Sequence, residues 1–263
     1  MKKIISLLLA VLMLSSLIAC SGGNENDQTT TTTTTKSTTT RRQDPDSEIP
    51  DPDEDPGLEY DVNVYLTYGT PVVDGVKETT WDSADAVKLE MVMKDSPEAD
   101  VTAYQMWDNE RLYFLFEIID SDIFQEGPEG DHFDDSIYLY ISELCSFEIS
   151  AFADYTEGTY QFSLVNDELS KFPRYGDQDL TEDDYDVSFN KTDEGLIIEF
   201  SYAPKHLTLE AGKQICLDYQ YNDNATGKDR LGIWSWFRTV NGAASPLQMG
   251  IGELLAEGTA IPE

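Results

Sequence analysis

Tyr104-Gln105-Met106-Trp107, then Asp108-Asn109-Glu110, then Leu112-Tyr113-Phe114-Leu115-Phe116-Glu117-Ile118-Ile119 is the stretch on which the fold turns. Two runs rich in aromatic and branched residues flank a polar turn, the pattern of a β-hairpin. The same texture continues down the chain. Residues 136–141, 147–152, 160–165, 185–190, 196–202 and 214–221 are further apolar, β-rich runs. Gly, Asp, Asn and Pro interrupt them, and no segment keeps a long helical period. Many short strands with turns between them predict an all-β fold, an antiparallel β-sandwich of the jelly-roll or immunoglobulin-like kind. It is large for a sandwich and ordinary for one domain, and no internal repeat is visible.

Before this domain the chain reads differently. Met1-Lys2-Lys3 is a short basic start, and Ile4 to Leu17 is apolar. A run of that length suits a signal peptide and is short for a membrane span. Leu17-Ile18-Ala19-Cys20 resembles a bacterial lipobox, cut before a cysteine that is then acylated. The expectation is a signal peptide over 1–19 and a lipid anchor on Cys20. That anchor places the protein outside the cytoplasmic membrane, on the bacterial cell surface. Residues 20–57 hold an unbroken threonine run, Thr29 to Thr35, and an acidic, proline-rich stretch through Asp51-Pro52-Asp53-Glu54-Asp55-Pro56. Such a segment lacks the apolar area to offset ordering entropy and reads as a disordered, extended stalk. The folded domain is expected over 58–263.

The chain has 263 residues, 51 Asp and Glu against 17 Lys and Arg, and a formal net charge of −34. Phosphate backbones repel such a surface, which excludes nucleic acid as a partner. Cations are attracted instead.

Several pieces, in order, carry a family resemblance. Tyr68-Gly69-Thr70-Pro71-Val72-Val73-Asp74-Gly75 is followed by Trp81. Next come Trp107-Asp108, Leu112-Tyr113, Asp120 and Asp135-Ser136-Ile137. Gly195-Leu196-Ile197-Ile198-Glu199, Gln220-Tyr221-Asn222-Asp223, Arg230-Leu231-Gly232-Ile233, Trp236 and Gly250-Ile251-Gly252-Glu253-Leu254 complete the set. Together, over about 60 to 256, they resemble the family 9 carbohydrate-binding modules found on xylanases. The resemblance implies a non-catalytic β-sandwich that binds polysaccharide or oligosaccharide, often at chain ends, with bound calcium. Glycoside hydrolases are the partners it suggests.

A sugar ring offers an apolar C–H face and an edge of hydroxyls, so binding calls for an aromatic platform and hydrogen-bonding side chains. Trp236 matches a platform tryptophan of the family. It lies in Trp234-Ser235-Trp236, where strand alternation would put both indoles on one face, with Trp234 expected in the core. Gln220, Asn222 and Arg230 resemble the polar contacts. The chain also departs from the family. The second platform tryptophan falls at His132 or Phe133, which makes Phe133 the candidate replacement. An acidic position inside the following strand is Tyr138, and an arginine position falls near Ser163. Trp81 and Trp107, beside turns, are expected to anchor the core.

Calcium takes six to eight oxygen ligands. Asp120, Asp122, Asp131, Asp134 and Asp135 lie in one loop and its flanks. The resemblance puts calcium ligands at Asp120 and Asp135, and matches Asp74 as well. With His132 and His206 as the only histidines and no paired cysteine motif, zinc is not indicated. Beyond Cys20, Cys145 and Cys216 allow one intramolecular disulfide or two buried thiols. No nucleophile elbow, phosphate loop or metalloprotease motif is present, so an enzyme is not expected. Two other readings stay open. One is an adhesion or scaffold sandwich that binds no sugar. The other is a haem-binding sandwich, for which Met106, Met249 and His132 are loose ligand candidates although Cys-x-x-Cys-His is absent.

Overall fold

A computed structural model describes residues 61–93, 99–125, 134–145, 157–165, 168–169, 175–176, 179–224, 231–237 and 249–262. These residues belong to one compact unit, Gly57–Glu263. The signal, the stalk, Cys20 and the run at 147–152 lie outside the described residues. No helix among the described residues is long and apolar enough to cross a membrane.

The hairpin that opened the sequence reading forms β4 (Asp100–Trp107) and β5 (Leu112–Ile119), paired from Asp100↔Ile119 to Trp107↔Leu112. Its turn is built by Asp108. One carboxylate oxygen accepts the Glu110 and Arg111 backbone N–H groups, and the other accepts the Tyr113 and Thr70 hydroxyls. Burial alone would raise this carboxyl, but those four bonds favour the anion and hold it below the usual range.

Two sheets result, and β1 (Val64–Tyr68) belongs to both. Its Val64 to Leu66 pair in parallel with β14 (Gly250–Leu254), and its Thr67 and Tyr68 pair in parallel with β4. One sheet then runs through β2 (Asp85–Lys88), β4, β5, β11 (Gly195–Tyr202) and β10 (Tyr185–Lys191). The other has β14, β12 (Gln214–Asp223), β6 (Ser136–Ser142) and β7 (Thr159–Val165) as its body. Beyond β14, the same edge of β12 pairs with β13 (Gly232–Ser235), which in turn pairs with β3 (Glu90–Met93). The short β8 (Glu168–Leu169) and β9 (Tyr175–Gly176) flank β7.

The core between the sheets follows strand alternation. Ile137, Leu139 and Ile141 of β6 face it with Leu217, Tyr219 and Tyr221 of β12 and Tyr160, Phe162 and Leu164 of β7. Phe114, Phe116, Ile198, Phe200 and Tyr202 meet them from the opposite sheet. The expected anchors are both buried. Trp107 joins the main core and donates its indole N–H to the Leu255 carbonyl. Trp81 caps a second cluster, with Met106, Tyr113 and Leu115, on the outer side of the first sheet. That extra layer explains why the domain is large: segment 69–84 covers a face that a minimal sandwich would leave to water.

Candidate functional site

The outer face of the second sheet is where chemistry concentrates. Alternation turns every second residue of β7, β6, β12 and β13 away from the core. Cross-strand pairing then lines these residues up in rows. One row reads Ser163, Tyr138, Gln220, Ser235. The next on one side reads Val165, Ser136, Asn222, Ile233, and on the other Gln161, Tyr140, Asp218. An exposed sheet face would carry such polar residues in contact with water. Here Ser163, Ser136, Asn222 and Asp218 are fully buried, as are Gln161, Ser235, Tyr138 and Tyr140 to within a few per cent. Buried polar groups are costly unless hydrogen-bonded. Some are satisfied in place. Gln220 donates from Nε2 to Asn222 Oδ1 at 2.7 Å, and Asn222 Nδ2 donates to the Ser136 hydroxyl at 3.2 Å. Tyr138 and Tyr140 meet edge to face, with centroids 6.3 Å apart. They pack with Cys216, Met249 and Ile251. This face therefore combines phenol rings, amides and hydroxyls, the set that a polyhydroxylated ligand requires.

The positions singled out in the sequence fall as follows. Gln220 and Asn222 stand in adjacent rows of this face and touch each other. Tyr138 and Ser163, where the chain departs from the family, flank Gln220 in its own row. Trp234 is in the core, tilted against Tyr221 with centroids 5.8 Å apart. Trp236 is half-buried where β13 ends and β14 begins, stacked on Tyr219 at 5.4 Å and 27°. Its other neighbour is Gly250, where an added Cβ would stand 2.6 Å from the indole. Glycine is therefore needed there for the ring to lie down. Tyr219 faces the core, so Trp236 extends the core outward, and Phe237 beside it is exposed. Phe133, Arg230 and His132 lie outside the described residues.

The acidic residues separate into two groups rather than one. Asp120, Asp135 and Asp223 present oxygens within 4.8 Å of one another, at the ends of β5, β6 and β12. Asp135 accepts the Phe124 and Asn224 N–H groups, and Asp120 accepts the Asp122 N–H and the Tyr221 hydroxyl. Burial, with mutual repulsion behind it, pushes Asp135 up to about 8 and Asp120 up to about 6. Three buried carboxylates so arranged are a hard-oxygen donor set of the kind that suits calcium. Asp223 is the member that sequence reading missed. The signal was present, since it directly follows Asn222 in a quoted motif, but only the β6–β12 pairing brings it to Asp135.

Asp74 belongs elsewhere, with Glu78 and Glu199. Buried Glu199 accepts the Trp81 indole N–H at 2.9 Å and the Asp74 and Gly75 backbone N–H groups at 2.9 and 2.6 Å. Gly75 takes φ +82° at this contact. Glu199 thus clamps the 69–84 segment onto β11.

Met106 and Met249 lie in separate packed clusters on opposite sheets and do not converge as ligands. Cys216 packs on the tyrosine face with Cys145 against the same cluster, and no disulfide joins them.

Comparisons with known proteins agree with this architecture. The chain is 26% identical over 191 residues to the exoglucanase XynX of Acetivibrio thermocellus, a span of 73% of this chain and 17% of that enzyme. It is 26% identical over 192 residues to endo-1,4-beta-xylanase C of Paenibacillus barcinonensis, covering 70% of this chain and 17% of the relative. The match thus spans under a fifth of either enzyme. Among solved structures, a carbohydrate binding module family 9 from Caldicellulosiruptor kristjanssonii in complex with cellotriose aligns with a TM-score of 0.63 at 19% identity. It covers 76% of this chain and 98% of that one. The same organism's module in complex with glucose gives 0.60, covering 76% and 99%. The family described as "Carbohydrate family 9 binding domain-like" matches residues 73–256. With the sandwich, the ordered motifs and this match over most of its length, the chain belongs to the family 9 carbohydrate-binding-domain-like proteins.

Proposed function

We propose that this chain binds carbohydrate without transforming it, through the polar and aromatic outer face of its second sheet. The observation that carries the reading is the polar and aromatic row Ser163, Tyr138, Gln220 and Ser235, in which Gln220 alone is partly exposed, flanked by Asn222 and Tyr140. A scaffold sandwich gains nothing from withdrawing so many polar groups from water. Amides and hydroxyls recognise hydroxyls, and the tyrosine rings suit the apolar face of a pyranose. Family membership, and sugar-complexed neighbours of the same fold, support the same reading. The xylanase and exoglucanase relatives favour a β-linked polysaccharide as the source of the ligand. A glycan captured near the cell is then available to glycoside hydrolases.

The anchor and the ion belong to this proposal. Acylation of Cys20 would tether the protein outside the bacterial membrane, with residues 20–57 as the spacer. Asp120, Asp135 and Asp223 would hold a structural calcium at one end of β6 and β12, whose next residues, Ser136 and Asn222, are in the site. Bound there, the ion would neutralise three buried charges and fix those strand ends.

The test is a glycan array on the full chain, followed by calorimetry on the best hit, with Asn222→Ala as the variant. Binding of a β-linked oligosaccharide, weakened in the variant, is the expected result. No binding to any glycan would overturn the proposal in favour of a scaffold sandwich.

A further inference from the structure

Beyond Cys20 the chain holds two cysteines, and the fold brings both to one place. Cys216 stands on β12 between Ile215 and Leu217, which face the core, so its thiol points to the outer side of the second sheet. There it is fully buried, packed with Tyr138, Tyr140, Met249 and Ile251. Directly across from Cys216 is Ser142, the last residue of β6. The chain then turns, and the Cys145 backbone N–H donates to the Ser142 carbonyl at 3.3 Å. That turn carries Cys145 back onto the cluster that contains Cys216, where its side chain is partly buried. The return needs φ +43° at Cys145, the one positive value at a non-glycine position among the described residues. A β-carbon opposes this conformation, and it persists where the surroundings demand it.

We propose that Cys145 and Cys216 are a redox pair, reduced in this structure and joined in a disulfide by a small-molecule or protein disulfide oxidant. Facing Cα atoms of an antiparallel pair are about 4.5–5.5 Å apart, and a turn holds its two ends within about 7 Å. A disulfide spans about 4.4–6.8 Å between Cα atoms. Cys145, one turn beyond the residue facing Cys216 and packed on the same cluster, closes that gap with a small movement of the turn. The Cys145 thiolate attacks first, because it is the more accessible of the two. The oxidant's S–S bond breaks, one of its sulfurs leaves as a thiol, and the other stays on Cys145. The Cys216 thiolate then displaces that second sulfur and forms the bridge. The two cysteines lose two electrons and two protons, and the oxidant gains both as two thiols. Only Cys145 meets the reagent; the second step is internal, so the burial of Cys216 does not obstruct it. The bridge ties β6 to β12 at the strand ends opposite Asp135 and Asp223. The presence of such an oxidant around the protein rests on the extracytoplasmic reading, and the chemistry of the pair rests on the geometry alone.

The test exposes the reduced, folded full chain to oxidised glutathione, followed by a non-reducing peptide map and thermal unfolding. The expected product is a single cross-link between the Cys145 and Cys216 peptides, lighter than the two reduced peptides together by two hydrogen atoms. Closing so long a loop should raise the melting temperature by about 5–10 °C, and dithiothreitol should reverse both changes. Two variants separate the steps. Cys216→Ser should stop at a glutathione adduct mapped to Cys145, and Cys145→Ser should leave Cys216 unmodified in the folded chain. The parent alone decides the outcome if a variant does not fold. A parent that accumulates the adduct on Cys145 without cross-linking would overturn the proposal, because the second thiol is then out of reach. Cross-linking only in urea would overturn it as well, since the native fold would not be what brings the pair together. A bridge that lowers the melting temperature would likewise show that the folded chain is not shaped to hold it. None of these results bears on sugar binding, which the glycan array reads separately.

Discussion

The indole of Trp236 lies nearly parallel to the phenol of Tyr219, 27° apart with centroids at 5.4 Å, and Tyr219 itself donates to Gln105 in the heart of the core. The residue that most resembles a sugar platform is therefore also a packing element, wedged between β12 and Gly250. Truncating a core tryptophan costs about 3–5 kcal/mol, and a half-buried one should cost about half of that. Trp236→Ala is expected to lower the unfolding free energy by roughly 2 kcal/mol, measured by urea denaturation. Trp236→Phe keeps the stack and should recover most of it. An alanine variant as stable as the parent would show that the ring contributes nothing to the fold.

Glu199 is the second position where one side chain holds distant parts together. Its carboxylate gathers the Trp81 indole and two backbone N–H groups from the 74–75 turn. Burial raises its pKa, and those three donors pull it back without cancelling the rise. Glu199→Ala leaves three donors without a partner, at about 1–3 kcal/mol for each one left buried. A loss of at least about 3 kcal/mol is expected. Because Trp81 is released with it, tryptophan fluorescence should shift to the red in the native state. A stable variant with unchanged emission would contradict the clamp.

The strand pattern was legible because both faces of this sandwich obey period 2, and Asp108 marks its hairpin turn in the sequence itself. What stayed hidden is what only pairing creates. Nothing local marks β1 as the strand that leaves one sheet for the other between Leu66 and Thr67. Tyr138, Ser163 and Gln220 stand far apart in the sequence, two of them at positions that depart from the family, and only cross-strand register makes them one row. Asp74 and Asp120 look alike in sequence, yet Glu199 draws one away while Asp223 joins the other.

His206 supplies a pH-dependent contact away from the site. Its Nε2 is 2.9 Å from Asp179, its Nδ1 is 3.4 Å from Glu157, and its backbone N–H donates to buried Glu143. Burial alone would lower its pKa, but Asp179, Glu143 and Glu157 together raise it. A group raised in the folded state contributes stability fully below its unfolded value, near 6.5, and loses it as pH rises through the folded value. His206→Ala should therefore be destabilising at pH 6, by about 1 kcal/mol or less for a partly exposed pair, and nearly neutral at pH 9. Equal effects at both values would mean that the ring packs without its charge mattering.

The buried carboxylates give the strongest pH dependence. Asp135 is raised to about 8 and Asp120 to about 6, in both cases by burial first and by neighbouring acids after it. An acid raised on folding contributes stability below its unfolded pKa, near 4, and that contribution disappears as pH climbs through the folded value. In chelator, the melting temperature should thus fall between pH 5 and pH 8 as Asp120 and Asp135 ionise. Calcium binds the ionised form, so its stabilisation should run the other way and grow over the same interval. The calcium-minus-chelator difference should be at least about 2–4 °C larger at pH 8, the shift that 1 kcal/mol produces in a domain of this size. Asp135→Asn removes one charge and one ligand together, so it should flatten the decline in chelator and abolish the calcium response. Net charge elsewhere on the surface is the same in parent and variant apart from that one group, which isolates the cluster. A calcium response that persists in Asp135→Asn would place the ion elsewhere in the protein.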